Sequence, residues 1–257
     1  MKVLALGDVV GQAGCDILRR NLLKIKNEHK INLCIANGEN SAEGNGILPS
    51  SAAALFEAGV GIITTGNHGL RRREIYEMLD EGTGVIRPAN YNSAAHGFGY
   101  YIYDMLSYRV AVINLQGTVY MDNIDNPFDC IDRILNELDA SVKIVDFHAE
   151  ATSEKLAMGY YIDGRASLLF GTHTHVQTAD EHIYPQGLGY ITDLGMCGPS
   201  ESVLGIKPEL ALRRLKTHLP TRFDNAEGAC QICGAVADID EKTGKTVKIY
   251  RIFIKQD

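Results

Sequence analysis

Five short apolar runs in this chain each end in residues that ligate metals or move protons. Gly7-Asp8 closes the first, Asn37-Gly38-Glu39-Asn40 the second and Gly66-Asn67-His68 the third. Asp146-Phe147-His148 and Gly171-Thr172-His173-Thr174-His175 close two more. Taken singly, each has an ordinary explanation. An Asp after a strand is usually a cap or turn residue, Asn40 and Asn67 suit turns, and His148 reads as a hydrogen-bonded core histidine. His173-Thr174-His175 points further, because alternate residues of a strand share a face. The joint pattern carries the argument, since chance rarely places ligand types at the same end of five strands.

The candidate metal ligands are Asp8, Glu39, Asn40, Asn67, His148, His173 and His175. Three imidazoles, two carboxylates and two amide oxygens exceed what one tetrahedral ion uses. A carboxylate such as Glu39 can bridge two cations ~3.5–4 Å apart, as two-metal hydrolytic sites require. Such a pair makes hydroxide available near neutral pH and stabilises charge developing on a phosphoryl group. The oxygen and nitrogen donors, without thiolate, suit Fe, Mn or Zn and do not choose among them.

These groups meet only if the strands share an edge. Residues 3–6, 33–36, 61–65, 143–147 and 167–170 read as strands, and 17–25, 52–57, 72–79 and 154–161 as helices between them. That β-α-β-α order argues for an α/β protein with a mainly parallel sheet, whose strand carboxyl ends gather where ligands bind. Residues 97–103 and 109–115 read as a hairpin, as do 229–239 and 246–254 around Thr243-Gly244. Asn126-Pro127 looks like an N-cap with proline at the first helical position, opening a helix through Leu138.

The 257 residues, 45% hydrophobic and 22% charged, can bury one α/β core over 1–257. A net charge of -7 argues against an extended nucleic-acid surface. The six cysteines are scattered, no leader is evident, and no apolar run nears the roughly 18 residues of a membrane span. The expectation is a reduced, cytoplasmic, soluble protein with no membrane contact.

The motifs resemble those of the calcineurin-like metallophosphoesterases, and most closely the bacterial YmdB-like branch. Residues 145–152, 171–180 and 189–196 carry the similarity most specifically, and it spans nearly the whole chain. The resemblance implies a layered metallophosphoesterase fold of mixed sheets flanked by helices, with residues 84–115 forming part of a small cap. It implies that Asp8, Glu39, Asn40 and His175 hold one metal, and that Glu39 bridges to a second held with Asn67, His148 and His173. His68 would then face the substrate as the catalytic residue, protonating the leaving oxygen or stabilising the transition state. The implied activity is hydrolysis of small nucleotide phosphodiesters, 2′,3′-cyclic ones included, by a chain that self-associates. The rivals are a phosphomonoesterase or nuclease on the same site, and a regulatory nucleotide- or metal-binding protein with incidental turnover.

Two departures stand out. The wider superfamily usually has Asp-x-His in its first motif, and here position 10 is Val10, with Asn40 completing the shell as in the YmdB-like branch. After Asn67-His68 the run is Gly69-Leu70-Arg71-Arg72-Arg73, where this branch often has an aromatic and an acid. Three positive charges are unfavourable at a helix N-terminus, so Arg71 is a candidate for binding an anionic substrate. Cys230-x-x-Cys233 lacks a second pair and reads as strand. Asp180-Glu181-His182 reads as a polar loop rather than an outer metal site.

Overall fold

The computed structural model describes residues 1–256. The first half runs β1 (Lys2–Leu6), β2 (Asp8–Val9), α1 (Gly11–His29), β3 (Leu33–Asn37), α2 (Pro49–Ala58), β4 (Ile62–Thr64) and α3 (Tyr76–Asp80). Next come β5 (Tyr100–Asp104), β6 (Arg109–Gln116), α4 (Pro127–Glu137), β7 (Val142–His148), α5 (Thr152–Ile162) and β8 (Leu168–Thr172). The last part adds β9 (His182–Ile183), β10 (Gly189–Ile191), β11 (Met196–Pro199), α6 (Pro208–Thr217), β12 (Cys230–Ile239) and β13 (Thr246–Gln256). Asn126 caps α4 as its sequence implies, its Oδ1 accepting from the Phe128 amide at 2.9 Å.

In place of one mainly parallel sheet there are two mixed sheets. β1, β3 and β4 pair in parallel, and β12 joins β1 antiparallel. The other edge of β12 takes β13, while β11 pairs with the start of β12 and leads to β2. The second sheet runs β5-β6-β7-β8-β10-β9, parallel from β6 to β10 and antiparallel at both edges.

Alternation along the strands explains the layering. In β1, Leu4 and Leu6 pack towards α1 and α2, whereas Val3 and Ala5 face the second sheet. In β6, Ala111, Ile113 and Leu115 pack with α4 and α5, whereas Val110 and Val112 face the first sheet. Side chains with period two thus fill three apolar layers, and the result is helix, sheet, sheet, helix.

Within the stretch 84–115, residues 109–116 form β6 of the second sheet. β6 is paired on both sides within the second sheet, and it is buried from Val110 to Gln116. A strand apolar at nearly every position belongs between two layers. The expected helix over 72–79 is a 3-10 turn, Arg73–Ile75, followed by the short α3.

Candidate active site

β1, β3 and β4 of one sheet and β7 and β8 of the other end at a common rim, and the predicted residues meet there. Two glycines show how tight the approach is. A Cβ on Gly7 would lie 2.0 Å from the Gly195 carbonyl oxygen, so only glycine lets Asp8 follow β1 so closely. A Cβ on Gly66 would lie 2.2 Å from the His148 ring, so the imidazole rests directly on the backbone beside Asn67.

Glu39 is the hub. Its Oε2 accepts from the His68 amide at 2.8 Å. Its Oε1 accepts from Asn40 Nδ2 at 3.2 Å and lies 3.3 Å from His148 Nε2 and 3.4 Å from His68 Nδ1. His148 Nε2 also lies 2.9 Å from Asn67 Oδ1 and 3.1 Å from His173 Nδ1. Glu39, His148 and His173 offer ligand atoms all within 4.8 Å of one another. On the other side, His175 Nε2 sits 3.3 Å from Asn40 Nδ2 and 3.7 Å from Asp8 Oδ1. Asp8 Oδ1 is buried without a hydrogen-bond partner. An orphaned carboxylate oxygen is costly unless something cationic completes it. This donor set therefore fits divalent metal.

Each imidazole is aimed by its other nitrogen, as metal-site histidines usually are. Thr172 donates its hydroxyl to Asp146 Oδ1 at 2.7 Å and accepts from His148 Nδ1 at 2.9 Å, turning Nε2 towards Glu39. His175 Nδ1 donates to the Leu204 carbonyl at 3.1 Å, leaving Nε2 for the Asp8 side. His173 Nε2 lies 3.1 Å from Glu150 Oε2, leaving Nδ1 for the cluster. Asn40 gives its amide oxygen to His68 Nδ1 at 2.9 Å, and its nitrogen faces Glu39 and His175. Ligation through Asn40 needs that amide turned over, because only the oxygen can coordinate.

The charges are strongly coupled. Burial works against charge on Glu39, but His148 and His68 overcome it and hold the carboxyl well below its usual range. Burial likewise opposes the His148 cation, yet Glu39, Asp8 and Asp146 hold it up at about 9. Burial and the neighbouring His148 charge push His173 down to about 3, so its contact with Glu150 is a neutral N–H bond rather than an ion pair. Burial raises Asp8, and it pushes Asp146 up to about 7 against the pull of His148 and the Thr64 and Thr172 hydroxyls.

His173 and His175 reach the site by a route other than strand alternation. β8 stops at Thr172, and these two residues sit in a loop with φ of 102° and 64°. Lys155 braces the loop, its Nζ lying 2.8 Å from Asp193 Oδ2 and 3.0 Å from the Thr172 carbonyl. Asp193 in turn accepts from the Thr174 amide at 3.2 Å and the Gly195 amide at 2.8 Å. Sequence reasoning missed this pair, although a signal existed: Lys155, Met158, Gly159 and Ile162 share the buried face of α5.

The cleft above these groups holds about 300 Å³, and its walls include Val10, Asn40, His68, Glu150, His173 and His175. Arg71 is exposed and is not among its lining residues. Its neighbour Arg72 is the one drawn to the cleft margin, by bonds from its guanidinium to the carbonyls of Asn45 at 3.0 Å and Glu43 at 2.6 Å. Asp180 and Glu181 are taken up by Thr178, Thr192 and Arg251, as a polar loop would be. Cys230 and Cys233, like the other four cysteines, are free and buried.

This layering, with its donor set gathered on one rim, defines a phosphoester hydrolase of the metallophosphoesterase fold. An NAD nucleotidase from Haemophilus influenzae shares the fold, with a TM-score of 0.60 over 98% of this chain and 55% of its own at 10% identity. The chain belongs to the family described as YmdB-like protein, which matches residues 4–252. It is 44% identical to the 2′,3′-cyclic-nucleotide 2′-phosphodiesterase of Bacillus subtilis (strain 168), over 100% of this chain and 98% of that protein. The crystal structure of a novel phosphatase from Mycoplasma pneumoniae superposes with a TM-score of 0.95 at 35% identity, covering 100% of this chain and 94% of the other. Among the described residues, no helix is long and apolar enough to cross a membrane.

Proposed function

We propose that this chain is a two-metal phosphodiesterase acting on small nucleotides, 2′,3′-cyclic nucleotides included. The observation that carries the reading is a single carboxylate between two half-sites. Glu39 faces His148, Asn67 and His173 on one side, and on the other Asn40 leads to His175 and the unpartnered Asp8 oxygen. Asp8, Glu39, Asn40 and His175 would hold one cation, and Glu39, Asn67, His148 and His173 the other. Fe, Mn and Zn all suit such donors. Bound there, the cations would supply Lewis acidity towards the phosphoryl group and an ionised water near neutral pH.

The chain's own residues supply the rest. His68 lines the cleft with its Nδ1 held by Asn40 and its backbone amide held by Glu39. With the Asn40 amide turned for ligation, its nitrogen would donate to Nδ1, placing the His68 proton on Nε2, free to pass to the departing ribose oxygen, a role worth ~10²–10⁴-fold in rate. The B. subtilis relative's named substrate supports the choice of cyclic nucleotide. Six free, buried thiols support a reducing, cytoplasmic setting.

The test combines elemental analysis with hydrolysis of bis-p-nitrophenyl phosphate and 2′,3′-cyclic AMP. The expected result is about two metals per chain, with His68→Ala keeping its metal while losing at least ~10²-fold in kcat. Metal-replete protein that turned over neither ester, with Asn67→Ala and His68→Ala indistinguishable from wild type, would sink the reading.

A further inference from the structure

A second groove opens off the metal cleft. It holds about 470 Å³, and Asn45, Ile206 and Asn225 line both spaces. Sites for small organic ligands run from ~300 to 1,000 Å³, so the cleft accommodates a phosphate with its immediate substituents and the groove has room for a larger body attached to it. The wall between them is braced. Asn45 sits at φ 71°, with its carbonyl held by Arg72 Nε. Asn225 Nδ2 donates to Glu43 Oε2 at 3.1 Å.

The remaining side chains say what that body is. Glu43 and Arg72 are already engaged, the carboxylate by the Gln12 amide and Asn225, the guanidinium by two carbonyls. Arg222, Phe223 and Asp224 are all exposed along the groove, between α6 and β12. Their charges cancel, which does not suit a second phosphate. Phe223 leaves 42% of its surface open, and an open phenyl beside an arginine is a stacking platform for a flat aromatic ring. Asp224 and the two asparagines supply acceptors and donors for hydroxyl and exocyclic amine groups.

We propose that this groove, built on Asn45, Arg72, Arg222, Phe223, Asp224 and Asn225, is a nucleoside subsite. It receives the base and ribose of a nucleotide whose phosphate lies in the cleft, the base stacking on Phe223 beside Arg222. The inference rests on the phosphodiesterase reading and extends it from the reacting bond to the rest of the substrate.

Calorimetric titration of the metal-replete full chain with adenosine 3′-monophosphate and with inorganic phosphate separates the two bodies. In Phe223→Ala the ratio of the two affinities should shift against the nucleotide by roughly 5- to 150-fold, the loss of one stacked base, and Phe223→Trp should restore it. Steady-state rates on 2′,3′-cyclic AMP and methyl p-nitrophenyl phosphate give the matching kinetic ratio. An unchanged ratio in Phe223→Ala, with wild type hydrolysing both esters, overturns the subsite and leaves the phosphodiesterase reading intact. Wild type that hydrolyses neither ester overturns both.

Discussion

Replacing Lys155 by Met takes away a charge that is 1% exposed and touches no substrate, yet the site should feel it. Lys155 Nζ ties Asp193 to the Thr172 carbonyl, and Asp193 ties the amides of Thr174 and Gly195. One buried pair therefore joins the end of β8, the loop bearing His173 and His175, and the turn before β11. Removing one partner of a buried pair costs about 3–5 kcal/mol, because the other charge is left uncompensated. Asp193 keeps two backbone N–H donors, so the lower end applies. At ~2 °C per kcal/mol for a chain of this size, Tm should fall by about 6 °C. The loop also holds two non-glycine residues at positive φ, which cost ~1–3 kcal/mol each when nothing enforces them. Metal retention through His173 and His175 should therefore drop as well. Scanning calorimetry and metal titration of Lys155→Met and Lys155→Met/Asp193→Asn separate the two effects. The double variant relieves the buried charge and should regain stability, while its metal affinity stays low. A single variant that melts within about 1 °C of wild type and binds metal normally would refute the reasoning, which requires a strained loop held by a buried pair.

Three further outcomes follow from the same geometry. Thr172→Val cuts the chain from Asp146 to His148 and should lower metal affinity by ~10–100-fold; isothermal titration giving the wild-type value would show that the hydroxyl does not aim the ring. His148, held up at about 9 despite burial, is protonated in the metal-free protein at neutral pH. A cation must displace that proton, so apparent metal affinity should climb with pH up to about 9, ~tenfold per unit for one proton; a flat profile between about pH 6 and 8 contradicts this. Of the neighbouring arginines, Arg72→Ala should raise KM more than Arg71→Ala, because Arg72 braces the 43–45 loop at the cleft margin. The reverse order in steady-state kinetics would restore Arg71 as the substrate contact.

The candidate ligand types were legible because they stand at strand ends, and strand ends were legible from apolar period and length. β1, β3, β4, β7 and β8 lie within one or two residues of their sequence reading. What failed was the step from strands to sheets. Residues 229–254 read as a hairpin, but nothing local in β12 says that it pairs with β1 and β11 along one edge. Long-range pairing of this kind makes the two mixed sheets that the family resemblance implied, where strand order alone suggested a single parallel one, and it seats residues 109–116 between layers. The short strands β2, β9, β10 and β11 have two to four residues each, too few for a period to show. The supporting residues Thr172 and Leu204 were hidden for another reason: each acts on a histidine distant in sequence, through a hydroxyl or a backbone carbonyl that many residues can offer.

Val10 joins these observations. Where the wider superfamily has a histidine ligand, this side chain is 5% exposed and its amide donates to the Cys197 carbonyl at 2.9 Å. Its branched carbons fill the space against two glycines. A Cβ on Gly205 would come within 2.6 Å of Val10 Cγ1, and one on Gly198 within 3.1 Å of Val10 Cβ. The turn between those glycines is thereby seated on Val10, and it carries Leu204, whose carbonyl accepts the Nδ1 proton of His175. That bond leaves His175 Nε2 facing Asp8. An imidazole at position 10 would push the turn outward and take the Leu204 carbonyl with it. The absent ligand and the aim of His175 are thus one arrangement, in which a valine orients a donor where a histidine would have been one.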